Sequence, residues 1–345
     1  MTRVPSAELS STMATGPTWR MGDTPWLGDG TASPSARVII DNDFSGDPDD
    51  LYQLVHHLLS PSVEIRAVVC SHLSPGDPLD DGADTAHNAF LVAADIFGRM
   101  GLTSRELLVQ GASSAMVDLA TPQESDAARA IIAEAMRDDV DTPLFVCVGG
   151  GLTDLASAYL LEPRVAERLT VIWIGGSEHE GFAVPPPDGM PVEYNLLIDV
   201  NAGRCVFGDS SLPLWQVPRD VYRQCLVSDM ELRMRVRDTG PLGAHLYDEV
   251  REVVEAGFSH GGGETYALGD SPLVLLTALR SWFQADGSSS RYVTIPTPAL
   301  TADGAYRQVF AARPMRVYTQ VDTRLMFEDF YLKLRAFSSW QEEAN

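Results

Sequence analysis

Residues 41–50 read DNDFSGDPDD, five aspartates in ten positions, directly after the apolar run Val38, Ile39 and Ile40. Carboxylates packed within several Å of one another repel, and some protonate unless something neutralises them. A hard cation removes the problem: calcium takes about six to eight oxygens in flexible geometry, and magnesium takes fewer protein ligands. Local structure is a second reading. Asp47 can cap a helix, Pro48 suits its first position, and Asp49 and Asp50 favour its positive end. That accounts for three of the acids. It leaves Asp41 and Asp43 at the carboxyl end of a strand, which is where open α/β sheets bind ligands. Both readings stand at this point.

The elements around the cluster are legible. ARVII is a short buried strand, and LYQLVHHLLS carries Leu51, Leu54, Val55, Leu58 and Leu59 at helical spacing. Pro61 stops that helix, and VEIRAVVC reads as the next strand. The β-α-β unit implies a parallel pair with a right-handed crossover. Helices follow over residues 84–100 and 124–137. PLFVCV is a strand leading through GGG into the helix LTDLASAYLL. TVIWIGG is a strand, VNAGRCVFGD a short helix and PLWQVP a strand. Helices are expected near 229–256 and 271–284, strands at 291–295 and 313–321, and a closing helix at 323–335. This alternation predicts an α/β fold with an open, mostly parallel central sheet flanked by helices, in one domain over 36–345. Residues 1–35, rich in Ser, Thr, Pro and Gly, read as a flexible or loosely docked extension, with Trp19 and Trp26 as packing points.

The chain of 345 residues is 45% hydrophobic and long enough to bury a core without staples. Its formal charge of −23, from 48 acidic and 25 basic residues, disfavours nucleic acid and anionic membrane as partners. A neutral small molecule or a divalent cation remains compatible. The four cysteines form no C-x-x-C pair, which suits a reducing, cytoplasmic setting. No stretch approaches the ~20 apolar residues of a membrane span, and the first twenty residues lack a signal-peptide core.

A strand ending in D-x-D also opens the haloacid-dehalogenase-type phosphatases, with Asp41 as nucleophile and Asp43 as acid. Those enzymes need a cation, normally lysine, at the phosphoryl group, and Lys333, in the last helix, is the one lysine of the chain. GGG at 149–151 does not continue into G-x-G-x-x-G, because Asp154 stands where the third glycine falls. His72, His179 and His260 sit in loops and are candidate acids, each weighed against an ordinary hydrogen-bonded histidine. His56 and His57 read as structural. Trp173 and Trp215 read as core.

DNDFSGDPDD resembles the N-terminal aspartate cluster of the nucleoside hydrolases, calcium-dependent N-ribosyl hydrolases. The resemblance continues in family order through VCVGGGLTDLASAYLLEP, VIWIGGS, VEYNLLIDVNAGRCVF, YALGDSPLVLL and RVYTQVDTRLMFEDFYLKL. It implies their fold, calcium as cofactor, a nucleoside or related N-riboside as substrate, and a homodimer or homotetramer. By position it implies Asp43 as water-activating base and calcium ligand, with Asp50 as bidentate ligand and Asp270 as distant ligand. The Gly149 carbonyl would also ligate. Asp49, Glu193 and Asn195 would hold ribose hydroxyls, the last two from one face of an extended segment. The activity implied is hydrolysis of an N-glycosidic bond through an oxocarbenium-like transition state. The alternative is a non-catalytic or altered-specificity diol-binding protein on the same scaffold.

Three departures from the family pattern stand out. Five residues, 44–48, separate Asp43 from the Asp-Asp pair where the family usually has three. Asp47 therefore joins the metal candidates, and either Asp43 or Asp47 could face the water. Gly269 stands where many members carry a histidine that protonates the leaving base, which leaves two routes: a loop histidine, first His260 beside the glycines 261–263, acts as acid, or the oxocarbenium side does most of the work and the base leaves with solvent help. The loop GSEHEGFAVPPPDGMP has no asparagine at the family's 5′-hydroxyl position.

Overall fold

The computed structural model describes residues 16–28, 32–187, 189–257 and 263–344. The chain opens with β1 (Ala36–Asn42), α1 (Asp49–Leu58), β2 (Val63–Cys70), α2 (Thr85–Arg99), β3 (Leu108–Gln110) and α3 (Asp126–Ala135). It continues through β4 (Leu144–Val148), α4 (Thr153–Leu161), β5 (Leu169–Ile174), α5 (Tyr194–Ile198), α6 (Val200–Arg204), β6 (Leu214–Val217) and α7 (Arg219–Tyr222). Then come β7 (Leu226–Ser228), α8 (Asp229–Glu231), α9 (Pro241–Glu255), β8 (Thr265–Ala267) and α10 (Pro272–Ala278). The last elements are β9 (Arg291–Pro296), β10 (Ala299–Leu300), β11 (Tyr306–Arg307), β12 (Pro314–Gln320) and α11 (Thr323–Glu343).

Eight strands form one sheet in the order β3-β2-β1-β4-β5-β6-β12-β9. Every pairing is parallel except that of β9 with β12. Strands this apolar belong in a parallel sheet covered on both faces. Alternation along β1 sends Val38 and Ile40 into one core and Ile39 into the other. The first core holds the inward faces of α1, α2, α9, α10 and α11, and the second those of α3, α4 and α6. The strand order reverses direction between β1 and β4. That switch point opens a crevice at the carboxyl ends of the two strands, and DNDFSGDPDD and GGG both leave from it.

Several expectations are corrected. The segment from Glu193 to Asn195 is not extended: Glu193 is the N-cap of α5, and Asn195 lies inside that helix. Leu279 ends the helix expected to reach residue 284. The helix expected across 229–256 passes into π-helical (Leu232–Val236) and 3-10 (Arg237–Thr239) turns and breaks at Gly240, the N-cap of α9. The closing helix runs on to Glu343. Pro48, not Asp47, is the N-cap of α1, and its first-turn acids are Asp49 and Asp50. The short strands β3, β7, β8, β10 and β11 carried no periodic signal.

Trp19 and Trp26 pack into the first core. Trp19 donates its indole N–H to the Met100 carbonyl at 2.7 Å, and Trp26 lies edge-on to Phe337 with ring centroids 5.1 Å apart. No helix among the described residues is long and apolar enough to cross a membrane.

Candidate active site

Asp41 and Asn42 end β1, Asp43 follows, and Asp49 and Asp50 begin α1, so one short turn folds the acids back over the strand end. Gly46 N–H closes that turn on the Asp43 carbonyl at 2.7 Å. Gly149 leaves β4 beside it, its N–H donating to the Asp41 carbonyl at 2.9 Å. Asp270 arrives just before α10. The structure therefore brings Asp43, Asp49, Asp50, Gly149 and Asp270 into one buried cluster.

Asn42, which the sequence reading passed over, is the hub. Its Nδ2 lies 2.8 Å from Asp50 Oδ1 and 2.8 Å from Asp270 Oδ2, while its Oδ1 accepts from Gly149 N–H at 2.9 Å. Position 149 has to be glycine. A Cβ there would stand 1.8 Å from Asp270 Oδ2 and 2.6 Å from Asn42 Oδ1.

Burial sets the electrostatics. It pushes the Asp43 carboxyl up to about 8, with the Asp270 charge adding to the rise. Burial raises Asp270 to about 7. Asp49 and Asp50 are raised as well, first by burial and then by neighbouring aspartates. Asp43 Oδ2, Asp50 Oδ2 and both oxygens of Asp41 are buried with no hydrogen-bond partner among the described residues. Orphaned carboxylate oxygens are costly, and a hard cation satisfies them. Among the described residues no group of three or more His, Cys, Asp or Glu is gathered in coordinating geometry. The Asn42 amide spans Asp50 and Asp270 instead. The donor set of carboxylates and a carbonyl nonetheless fits calcium or magnesium by chemistry.

The remaining candidates divide. Asp47 is exposed at the rim, accepting from the Tyr266 hydroxyl at 2.7 Å. Of Asp43 and Asp47, it is Asp43 that lies in the buried cluster. Asp49 accepts from the Asp270 N–H at 3.1 Å. Glu193 is buried and its carboxylate is filled: Gly176 N–H (2.6 Å) and Leu196 N–H (3.1 Å) donate to Oε2, and Asn195 N–H (3.2 Å) and the Tyr222 hydroxyl (2.9 Å) to Oε1. Asn195 spends both amide hydrogens on the carbonyls of Gly149 (2.6 Å) and Ile174 (2.9 Å). The Gly149 carbonyl thus already accepts one bond.

His260 and the glycines 261–262 lie outside the described residues. Both ring nitrogens of His72 are engaged, by the Leu73 carbonyl and Thr153 Oγ1, each at 3.0 Å. His179 bonds Gln216 at 2.8 Å and stacks on Tyr306. His56 and His57 are buried and bonded to Asp329 and Thr277. Trp173 is fully buried, and Trp215 packs between Phe145 and Arg316. Lys333 is tied to Asp329 and Ser60 at 2.5 and 2.9 Å, which removes the cation a phosphatase would need. Tyr194, whose hydroxyl bonds Asp77, was missed, as were Tyr222 and Tyr266. At Gly269 a Cβ would meet Asp49 Oδ2 and Tyr222 Cδ2, both at 3.2 Å, so Tyr222 packs tightly over that position.

A family model described as inosine-uridine preferring nucleoside hydrolase matches residues 38–328. The chain belongs to this family. Two curated members match over shorter stretches. The inosine-uridine preferring nucleoside hydrolase of Crithidia fasciculata is 38% identical over 97 residues, and that of Leishmania major 37% over 95. These stretches cover 27% and 26% of this chain, and only 28% and 27% of those relatives. Solved structures agree on the fold. A plant nucleoside hydrolase superposes with a TM-score of 0.66 at 17% identity, covering 88% of this chain and 100% of its own. An inosine-uridine preferring nucleoside hydrolase from Bacillus anthracis gives 0.61 at 18%, covering 87% and 99%. The expected α/β architecture of nucleoside hydrolases is therefore the observed one.

Proposed function

We propose that this chain hydrolyses the N-glycosidic bond of a nucleoside or related N-riboside, releasing ribose and free base, with calcium as cofactor. The observation that carries the reading is the pair of buried, unpartnered oxygens on Asp43 and Asp50, set in the crevice of a nucleoside hydrolase fold. Asp43, Asp50, Asp270 and the Gly149 carbonyl would hold the ion, and Asp47 at the rim is the outer candidate. Calcium supplies neutralisation of these acids, sites for vicinal sugar hydroxyls and a lowered pKa for water.

Asp43 takes the proton from the attacking water. Without metal its buried carboxyl keeps a proton up to about 8; a bound cation would favour the carboxylate, the form that can act as base. Asp43 and Asp49 also face the positive charge that develops on the sugar as the bond to the base breaks. Asp49 and Asn195 receive ribose hydroxyls. With its N–H groups spent, Asn195 presents Oδ1 as an acceptor. Glu193 supports the sugar side by fixing Asn195 and Tyr222. Gly269 has no proton to give, so the leaving base takes its proton from His260. The same reading makes the protein a cytoplasmic homodimer or homotetramer with no nucleic-acid or membrane partner. Four buried, free cysteines support the reducing setting and the charge of −23 the lack of anionic partners, while the oligomer rests on the family resemblance alone.

The test is incubation of the purified protein with a panel of purine, pyrimidine and unusual N-ribosides, with products identified by mass spectrometry. Free base and ribose are expected. Ligand retained without free base would mean a diol-binding protein instead.

A further inference from the structure

A buried polar chain runs from the carboxylates into the protein between α1 and α10. Asn42 Nδ2, besides its bonds to Asp50 and Asp270, lies 3.2 Å from Gln53 Oε1. Gln53 Nε2 bonds His57 Nδ1. His57 Nε2 lies 2.9 Å from Thr277 Oγ1, and Thr277 donates to the Leu273 carbonyl at 2.6 Å. Asn42, Gln53, His57 and Thr277 are each fully buried. Such a chain inside an apolar helix interface costs desolvation unless every bond is made.

The donors and acceptors can be assigned by following the hydrogens. Thr277 has one hydrogen, and the Leu273 carbonyl takes it. His57 therefore donates through Nε2 and, as a neutral ring, accepts at Nδ1. Burial holds this imidazole well below the usual histidine range, which keeps it neutral. Gln53 must then turn its NH2 to His57 and its carbonyl to Asn42. Asn42 in turn must present its NH2, whose two hydrogens are shared among three acceptors, Asp50 Oδ1, Asp270 Oδ2 and the more distant Gln53 Oε1, and the Gly149 N–H enforces the same orientation from the other side. A reversed Asn42 would set a carbonyl oxygen against two carboxylates.

We infer that Gln53, His57 and Thr277 are positioning residues: they lock the Asn42 amide so that its N–H groups hold Asp50 and Asp270 ready for a divalent cation. This rests on the proposed metal site. It assigns that site's pre-organisation to a relay that ends at Thr277, about two helical turns along the chain from Asp270.

Calcium binding to the chelator-stripped, dialysed full-length protein, followed by isothermal titration calorimetry, tests it. Gln53→Leu keeps the volume and removes the acceptor, and calcium should bind about tenfold more weakly, a difference of ~1.4 kcal/mol. Gln53→Glu should stay within about threefold of wild type. Its carboxylate still accepts from Asn42, and His57 can change tautomer while the Thr277 hydroxyl turns to meet it. Melting of the metal-free variants should rank them the other way, because burying Glu costs more than burying Leu. If Gln53→Leu does not fold, Thr277→Val and its rescue Thr277→Ser give the same comparison at the far end of the relay. Wild-type affinity in Gln53→Leu or Thr277→Val, or equal losses in Gln53→Leu and Gln53→Glu, would overturn the inference alone. No calcium binding by the wild-type chain would overturn the metal reading and this inference together.

Discussion

Asp50 carries its two oxygens into different environments, one bonded to the Asn42 amide and one buried and bare. Asp50→Asn removes a like charge from the cluster and one hard ligand from the site. The metal-free variant should melt higher than metal-free wild type, and the rise in melting temperature on adding calcium should largely vanish. Differential scanning calorimetry with and without chelator reads both, and an undiminished calcium shift would remove Asp50 from the site. His260→Ala separates the two ways a base can leave. General acid catalysis is worth about 10²–10⁴-fold. The variant should lose activity by that order on a natural nucleoside and little on a riboside whose leaving group needs no proton. Equal losses on both substrates would point to binding or folding.

At the scale of elements, the site depends on a helix that the sequence reading missed. Glu193 closes the start of α5 and ties it to Gly176 and Tyr222. Glu193→Ala orphans buried N–H groups and should cost about 1–3 kcal/mol in chemical denaturation. It should also weaken nucleosides of different bases by similar factors, because what it disturbs is the sugar side. A change confined to the preference between bases would contradict that placement. The apolar runs made the sheet readable, since a parallel strand covered on both faces is a continuous block of Val, Ile and Leu. The aspartates stood out because acids without counter-charges have few structural uses. Asn42 and Gln53 stayed invisible for the opposite reason. Asn42 reaches Asp270, 228 positions away, and Gln53 joins Asn42 to His57 inside an otherwise apolar helix interface, and neither link leaves a motif in the sequence. The five-residue α5 was likewise too short to show a period, and E-Y-N read as extended. The polar extension gave only its tryptophans. Trp19→Ala should cost about 3–5 kcal/mol, and loss well below that would mean the contact with Met100 and Phe337 adds little to the fold.

Across the whole molecule, the acids couple stability to pH and metal. In the metal-free protein Asp43 and Asp270 hold protons up to about 8 and about 7, whereas the unfolded chain releases them near 4. Between those values the folded state binds more protons, so metal-free stability should fall as pH rises from about 4 to about 8. Calcium replaces those protons. Its stabilising effect should therefore grow over the same interval, and binding should release protons into buffer. A flat melting temperature from pH 5 to 8 in chelator would contradict this origin of the cluster's behaviour.

On this reading the carboxylate crevice at the ends of β1 and β4 cleaves N-ribosides with a bound cation. The direct measurement is the initial rate of free-base release from inosine and uridine, before chelation, after exhaustive chelation, and after calcium is restored. Release should be lost with the chelator, return with calcium, and be absent in Asp43→Asn under all three conditions. Release that persists undiminished after chelation, or in Asp43→Asn, would contradict it.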